Sequence, residues 1–220
     1  MDFYRRNWYW IGMYLFAAIA FFLGFGGNKL FSDIQLILIY SFMGFLVHQY
    51  EEYGAPGGFP GIFNVVLGER DVIDRYPTNA NLVMINNVFM TYPFYILAVI
   101  FPGAIWFGLI QVGQGMAQIL NHGIYNNLKF KSIYNPGLGA VIFVNWPIGL
   151  YYIWHVSTNN LATTTDYVLG FIGAILSLVV LWAIPVSTLR DKNTKYPYAE
   201  SQMYGVNDWA KEKVLQIKNS

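Results

Sequence analysis

The chain has 220 residues, 55% of them hydrophobic and 19% aromatic but only 11% charged, where soluble domains carry about a quarter charged residues; its mean hydropathy is +0.38. A net charge of +1 without a clustered basic patch excludes a nucleic-acid surface. The absence of cysteine excludes disulfides, thiolate metal sites and a cysteine nucleophile, so any metal must be held by His, Asp, Glu, Asn or backbone.

Crossing a bilayer takes roughly 17 to 25 apolar residues, and six such runs are expected, from Trp8 to Phe25, Ile34 to His48, Leu82 to Phe101, Ala104 to His122, Leu138 to His155 and Tyr167 to Leu189. The fold class is therefore all-α, a polytopic membrane bundle of about six transmembrane helices over residues 1–189. Pro and Gly punctuate the breaks, as at Pro102–Gly103 and Pro136–Gly137. Arg5, Arg6, Arg70, Arg75, Lys129, Lys131, Arg190, Lys192 and Lys195 all fall on one side of this arrangement. The positive-inside rule then places both termini in the cytoplasm of a multi-pass plasma-membrane protein. The segment 190–220 is expected to be a cytoplasmic tail whose short amphipathic helix, with Trp209, Val214, Leu215 and Ile217, either lies on the bilayer or docks on the bundle.

The second run ends in "HQYEE". Residues three and four apart are neighbours on a helix, so Glu51 and Glu52 both flank the face that carries His48. The fourth run ends on the same side in "LNHG", which brings His122 to a similar depth. Two imidazoles and a carboxylate on neighbouring helices form a plausible ligand set for zinc or iron, with the second glutamate free to act as a base. Asn86 and Asn87 in the third run, Asn121 beside His122, and Asn145 in the fifth are expected to support these ligands, because amides within apolar helices must find partners. The glycine-rich loop 54–61 is expected to be a mobile lid over the glutamates. His155 lies at the opposite face and is expected to be an interfacial residue.

These residues resemble the HXXEE family of membrane proteins of unknown function. His48, Glu51 and Glu52 match its H-x-x-E-E signature, His122 a further histidine, and Tyr134, Asn135, Pro136 and Gly137 its Y-x-P-G motif. The resemblance supports the choice of residues but implies no reaction. The expected function is that of a membrane metalloenzyme with a divalent metal, zinc or iron, on His48, His122 and at least one of Glu51 and Glu52, and with Glu51, Glu52 and Tyr134 as catalytic candidates. Its expected partners are the lipid bilayer and an amphipathic small-molecule or lipid substrate; a homodimer is left open. Hydrolysis is favoured over iron(II)-dependent oxygenation. A proton- or ion-coupled transporter and a lipid-binding protein are the other readings.

Overall fold

A computed structural model describes residues 1–206 and 208–219; within the C-terminal segment, Asn207 and Ser220 lie outside the described residues. Among those described, regular structure is entirely helical. Six long helices dominate: α1 (Asp2–Gly24), α2 (Asp33–Tyr53), α4 (Ala80–Ile100), α5 (105–130), α6 (138–158) and α7 (Thr164–Leu189). Shorter ones are α3 (Phe59–Val66) between α2 and α4, and α8 (Glu200–Tyr204) and α9 (Asp208–Lys218) after α7. Three of the long helices, α1, α4 and α7, are long and apolar enough to cross a membrane by length and composition.

Local chemistry sets the helix starts. Ser32 and Gln35 form a reciprocal capping box at the head of α2, and Thr163 with Asp166 does the same for α7. Asn79 caps α4 by accepting from the amides of Asn81 and Leu82. The helices α5 and α7 approach closely through small residues: a Cβ added at Gly170 would meet Leu109 at 2.5 Å, and one at Gly113 would meet Ala174 at 2.8 Å.

Amides of α2 and α5 point inward and find partners, as burial requires. Gln111 donates to the carbonyl of Leu38, Gln114 accepts from the Tyr95 hydroxyl, and Gln49 accepts from Tyr92 while donating to Asn87. Each of the last four long helices contains a stretch wound as π-helix, at residues 85–91, 120–126, 141–145 and 179–183. Such insertions rotate the following side chains and concentrate at functional positions.

The segment after α7 folds back over one end of the bundle. Tyr198 donates its amide to the carbonyl of Asp74 and its hydroxyl to Thr78, and Ala80 donates its amide to Tyr196. Lys192 pairs with Glu69, whose carboxylate also accepts from the amides of Arg70, Asp71 and Val72. Desolvation opposes ionisation of Glu69, but these donors outweigh it and hold its carboxyl below the usual range. Along α9, Ala210 and Val214 are buried, and Trp209 packs on Phe130 and Tyr134.

This arrangement corrects the expectation of a mobile lid at 54–61. Val206 donates to the carbonyl of Pro56, and a Cβ at Gly58 or Gly61 would strike the backbone of Tyr204 or Met203 at 2.8 or 2.3 Å. The glycines there serve close backbone packing beneath the C-terminal segment.

Candidate metal centre

His48 and Glu52 lie one turn apart near the C-terminal end of α2, and His122 sits in the π-wound part of α5. All three are buried, and one potential ligand atom from each falls within 4.8 Å of the others. Nε2 of His122 lies 3.2 Å from Oε1 of Glu52, and Nε2 of His48 lies 3.7 Å from the same oxygen. The two imidazoles meet edge to face with centroids 4.9 Å apart. Phe59 of α3 covers the His122 ring from a centroid distance of 4.5 Å.

Their outer nitrogens fix the tautomers. Nδ1 of His48 is 3.0 Å from the carbonyl oxygen of Gly137, which can only accept, so Nδ1 carries the proton. Nδ1 of His122 is 2.7 Å from Oδ1 of Asn135. The orientation of that amide follows from its other end, where Nδ2 donates to the carbonyl of His122 and to Oδ1 of Asn127. Both rings therefore turn an unprotonated Nε2 toward Glu52. Nε2 of His122 is fully buried without a hydrogen-bond partner among the described residues, and an orphan acceptor there is costly unless something binds it.

The donor set fits a divalent metal. Imidazole nitrogens and a carboxylate about 2.1 Å from a tetrahedral ion are separated by about 3.4 Å, and the two Nε2 to Oε1 distances straddle that value. Ligating histidines that give their other N–H to a carbonyl or amide oxygen are the usual second layer of such sites.

Adjacent Glu51 faces elsewhere. Its carboxylate accepts from the amides of Gly139 at 3.0 Å and Ala140 at 2.6 Å, and from the Tyr134 hydroxyl at 2.8 Å. It thereby closes the first turn of α6, where unpaired amides and the helix dipole favour an anion. Among the described residues Tyr134 bonds to Glu51 and takes no part in the His48, Glu52 and His122 cluster.

The remaining candidates divide by position. Asn86, Asn87 and Asn121 line a polar cavity of about 40 Å³ that also touches His48 and Glu52, and none of the three hydrogen-bonds to the His48, Glu52 and His122 side chains among the described residues. Asn145 sits away from the centre, against Gly44 and Gly115 where α6 crosses α2 and α5. His155 lies beside Tyr151, with ring centroids 6.3 Å apart, at the opposite end of α6.

Sequence reasoning missed Asn135 and Gly137 as partners of the histidines, although both lie inside the Tyr134–Gly137 motif. Gly137 has φ +104°, and a Cβ there would lie 2.5 Å from Cε1 of His122 and 3.0 Å from Cε1 of His48. Only glycine lets the loop carbonyl reach His48 while both rings pack against the backbone.

A family model described as "Protein of unknown function with HXXEE motif" matches residues 39–152. No curated protein and no solved structure matches the chain. The matched stretch runs from α2 into α6 and holds every residue of the His48, Glu52 and His122 cluster with the Tyr134–Gly137 loop that orients it. The chain thus belongs to the HXXEE-motif family.

Proposed function

We propose that this protein is a metal-dependent enzyme of the membrane, a hydrolase that acts on an amphipathic or lipid-like substrate at the cytoplasmic leaflet. In this reading all six long helices span the plasma membrane and both termini are cytoplasmic, in keeping with the one-sided placing of Arg and Lys. The observation that carries the proposal is the convergence of two Nδ1-protonated histidines on one buried carboxylate oxygen, beside a polar cavity.

Nε2 of His48, Nε2 of His122 and Oε1 of Glu52 are the atoms that would hold a divalent ion. When bound there, zinc supplies a Lewis acid and a water of lowered pKa. Glu52 accepts no hydrogen bond from the described residues, so its second oxygen is free to take a proton at the cavity wall. Glu51, saturated by two amides and a phenol, holds α6 and the Gly137 carbonyl in place instead of acting as the base. Phe59 and Phe45 shield the histidines from bulk water. Two imidazoles and one carboxylate suit zinc and a facial iron(II) triad alike, and the hydrolytic reading takes zinc.

The test is elemental analysis of protein purified without added metal, followed by chelation, reconstitution and turnover of a panel of long-chain esters and amides. One zinc per chain and zinc-dependent turnover are expected. A stoichiometry near zero, with no uptake on reconstitution, overturns the proposal and leaves the cluster as a buried histidine–carboxylate ion pair.

A further inference from the structure

The cavity beside the metal cluster lies where the π-wound stretch of α4 faces that of α7. Asn86 and Thr91 contribute from α4, Gln114, Gln118 and Asn121 from α5, and Ser177 from α7. Several of their polar atoms are unspent. Oδ1 of Asn86 is buried with no partner, and the Asn86 side chain, itself only 8% exposed, makes no hydrogen bond among the described residues. Gln114 uses its oxygen on Tyr95 but has no partner for its NH₂, and Gln118 has none at either end among the described residues. Spare donors and acceptors in a bundle interior are costly unless a guest pairs them.

The same wall is uncharged. Apart from His48 and Glu52, no titratable side chain except the Tyr53 phenol lines the cavity among the described residues, and none is Lys or Arg. A phosphate seated away from the His48 and Glu52 end would meet no guanidinium or ammonium, which are the groups that ordinarily hold it. Hydroxyls and carboxamides, by contrast, match the free amide valences without charge. Size narrows the choice further. A water needs about 10 to 15 Å³ of such space, so a cavity of about 40 Å³ holds roughly three water-sized groups, room for the terminal hydroxyl or amide groups of a small head and too little for a sugar ring. Leu178 and Trp182 of α7 line the cavity while remaining part-exposed on the outer surface, which supplies an apolar flank for an attached chain.

We infer that this cavity is the head-group subsite of the proposed enzyme and selects amphiphiles with a small, uncharged head bearing hydroxyl or amide groups, against those with phosphate. The inference rests on the metalloenzyme reading for its role in turnover. Binding selectivity is measurable without turnover.

The experiment uses the full chain in lipid nanodiscs, offered 1-monooleoylglycerol, N-oleoylethanolamine or oleoyl lysophosphatidic acid, with retained ligand read by native mass spectrometry and zinc measured on the same samples. The two neutral oleoyl probes should be retained at least about tenfold over the phosphate one, equivalent to about 1.4 kcal/mol; their ratio to each other tells a glyceryl preference from an amide one. Asn86→Leu combined with Gln118→Leu should erase this preference at unchanged zinc content. Gln118→Lys, at a half-buried position that tolerates the longer side chain, should turn the preference toward the phosphate probe. Equal retention of all three probes by the wild type, or selectivity unmoved by these substitutions, overturns the inference. Selectivity without bound zinc would keep the subsite and remove the metalloenzyme reading, whereas zinc without selectivity would do the reverse.

Discussion

The two ends of the helix bundle are built on different principles. At the end that carries His48, Glu52 and His122, the chain spends residues 54–79, 131–137, 190–206 and 208–218 on loops, short helices and a returning tail, and the interior is rich in amides, histidines and carboxylates. At the opposite end the connections are brief, as at 101–104 and 159–163, helix starts are finished by local capping boxes, and residues such as Phe25, Phe101 and Trp154 stand exposed. One end is held by many long-range polar contacts, whereas the other relies chiefly on local caps, with Gln35 to the Val99 carbonyl and Tyr152 to the Ile105 carbonyl as its long-range bonds. Damage at the first should therefore spread to function, and damage at the second should stay local.

The largest effect expected is at the ligands. His122→Ala and Glu52→Gln should each remove stoichiometric zinc, measured elementally, while circular dichroism still reports a helical bundle; zinc retained in both variants would erase the functional distinction between the two ends. Next comes the residue that orients His122. Asn135→Leu should weaken zinc affinity by about 10- to 100-fold, read by competition with a chromophoric chelator.

Glu51→Gln sharpens the comparison within a single turn of α2. It loses charge-assisted bonds to α6, which should lower stability by about 1–3 kcal/mol, yet zinc should stay bound. Thermal unfolding and metal content measured together decide whether the two glutamates differ in this way. Gly205→Ala should cost a comparable 1–3 kcal/mol or so, because Gly205 has φ +68° and its Cβ would collide with the Pro56 carbonyl. Limited proteolysis of the tail would register that loss.

The smallest effects belong to the distal end and to acid. Asp166→Ala removes the acceptor of the capping box of α7 and should cost about 1 kcal/mol with no change in zinc. The depressed carboxyl of Glu69 favours folding above the ordinary glutamate range, and this contribution is lost as pH falls through its lowered value. The wild type should thus lose tail protection at low pH, and Glu69→Gln should flatten that dependence.

Much of the centre was legible because helical spacing and alternating topology alone bring His48, Glu52 and His122 to one depth. The choice between Glu51 and Glu52 was not. Positions three and four after His48 both flank it, and the roughly 100° that separates consecutive residues on a helix turns Glu51 toward the amides of Gly139 and Ala140 only once α6 has been placed. Asn135 escaped notice for a similar reason, since it meets His122 through a loop whose return path has no periodic signal. Hydropathy marked six apolar runs, but α2, α5 and α6 fall short of the composition that α1, α4 and α7 reach. Buried amides such as Gln49, Gln111 and Asn145 dilute their apolar character. Among the described tail residues, the amphipathic pattern of α9 fitted bilayer or bundle equally; Ala210 and Val214 are buried against the protein.

The tail that closes the functional end also sets a timetable. Residues 196–206 bridge to Asp74, Thr78, Pro56 and, through Gln202, to Arg5 at the far end of the chain. During synthesis every long helix emerges before these residues do. The glycine-rich backbone at 54–61 and the polar floor of the bundle must wait uncovered until translation has passed residue 206. Such a nascent intermediate displays apolar and unpaired backbone surface, the kind of surface that chaperones and proteases survey. Covering of the bundle end that holds His48, Glu52 and His122 is thereby coupled to synthesis of residues 196–206, and a ribosome that stalls before them would leave that end open.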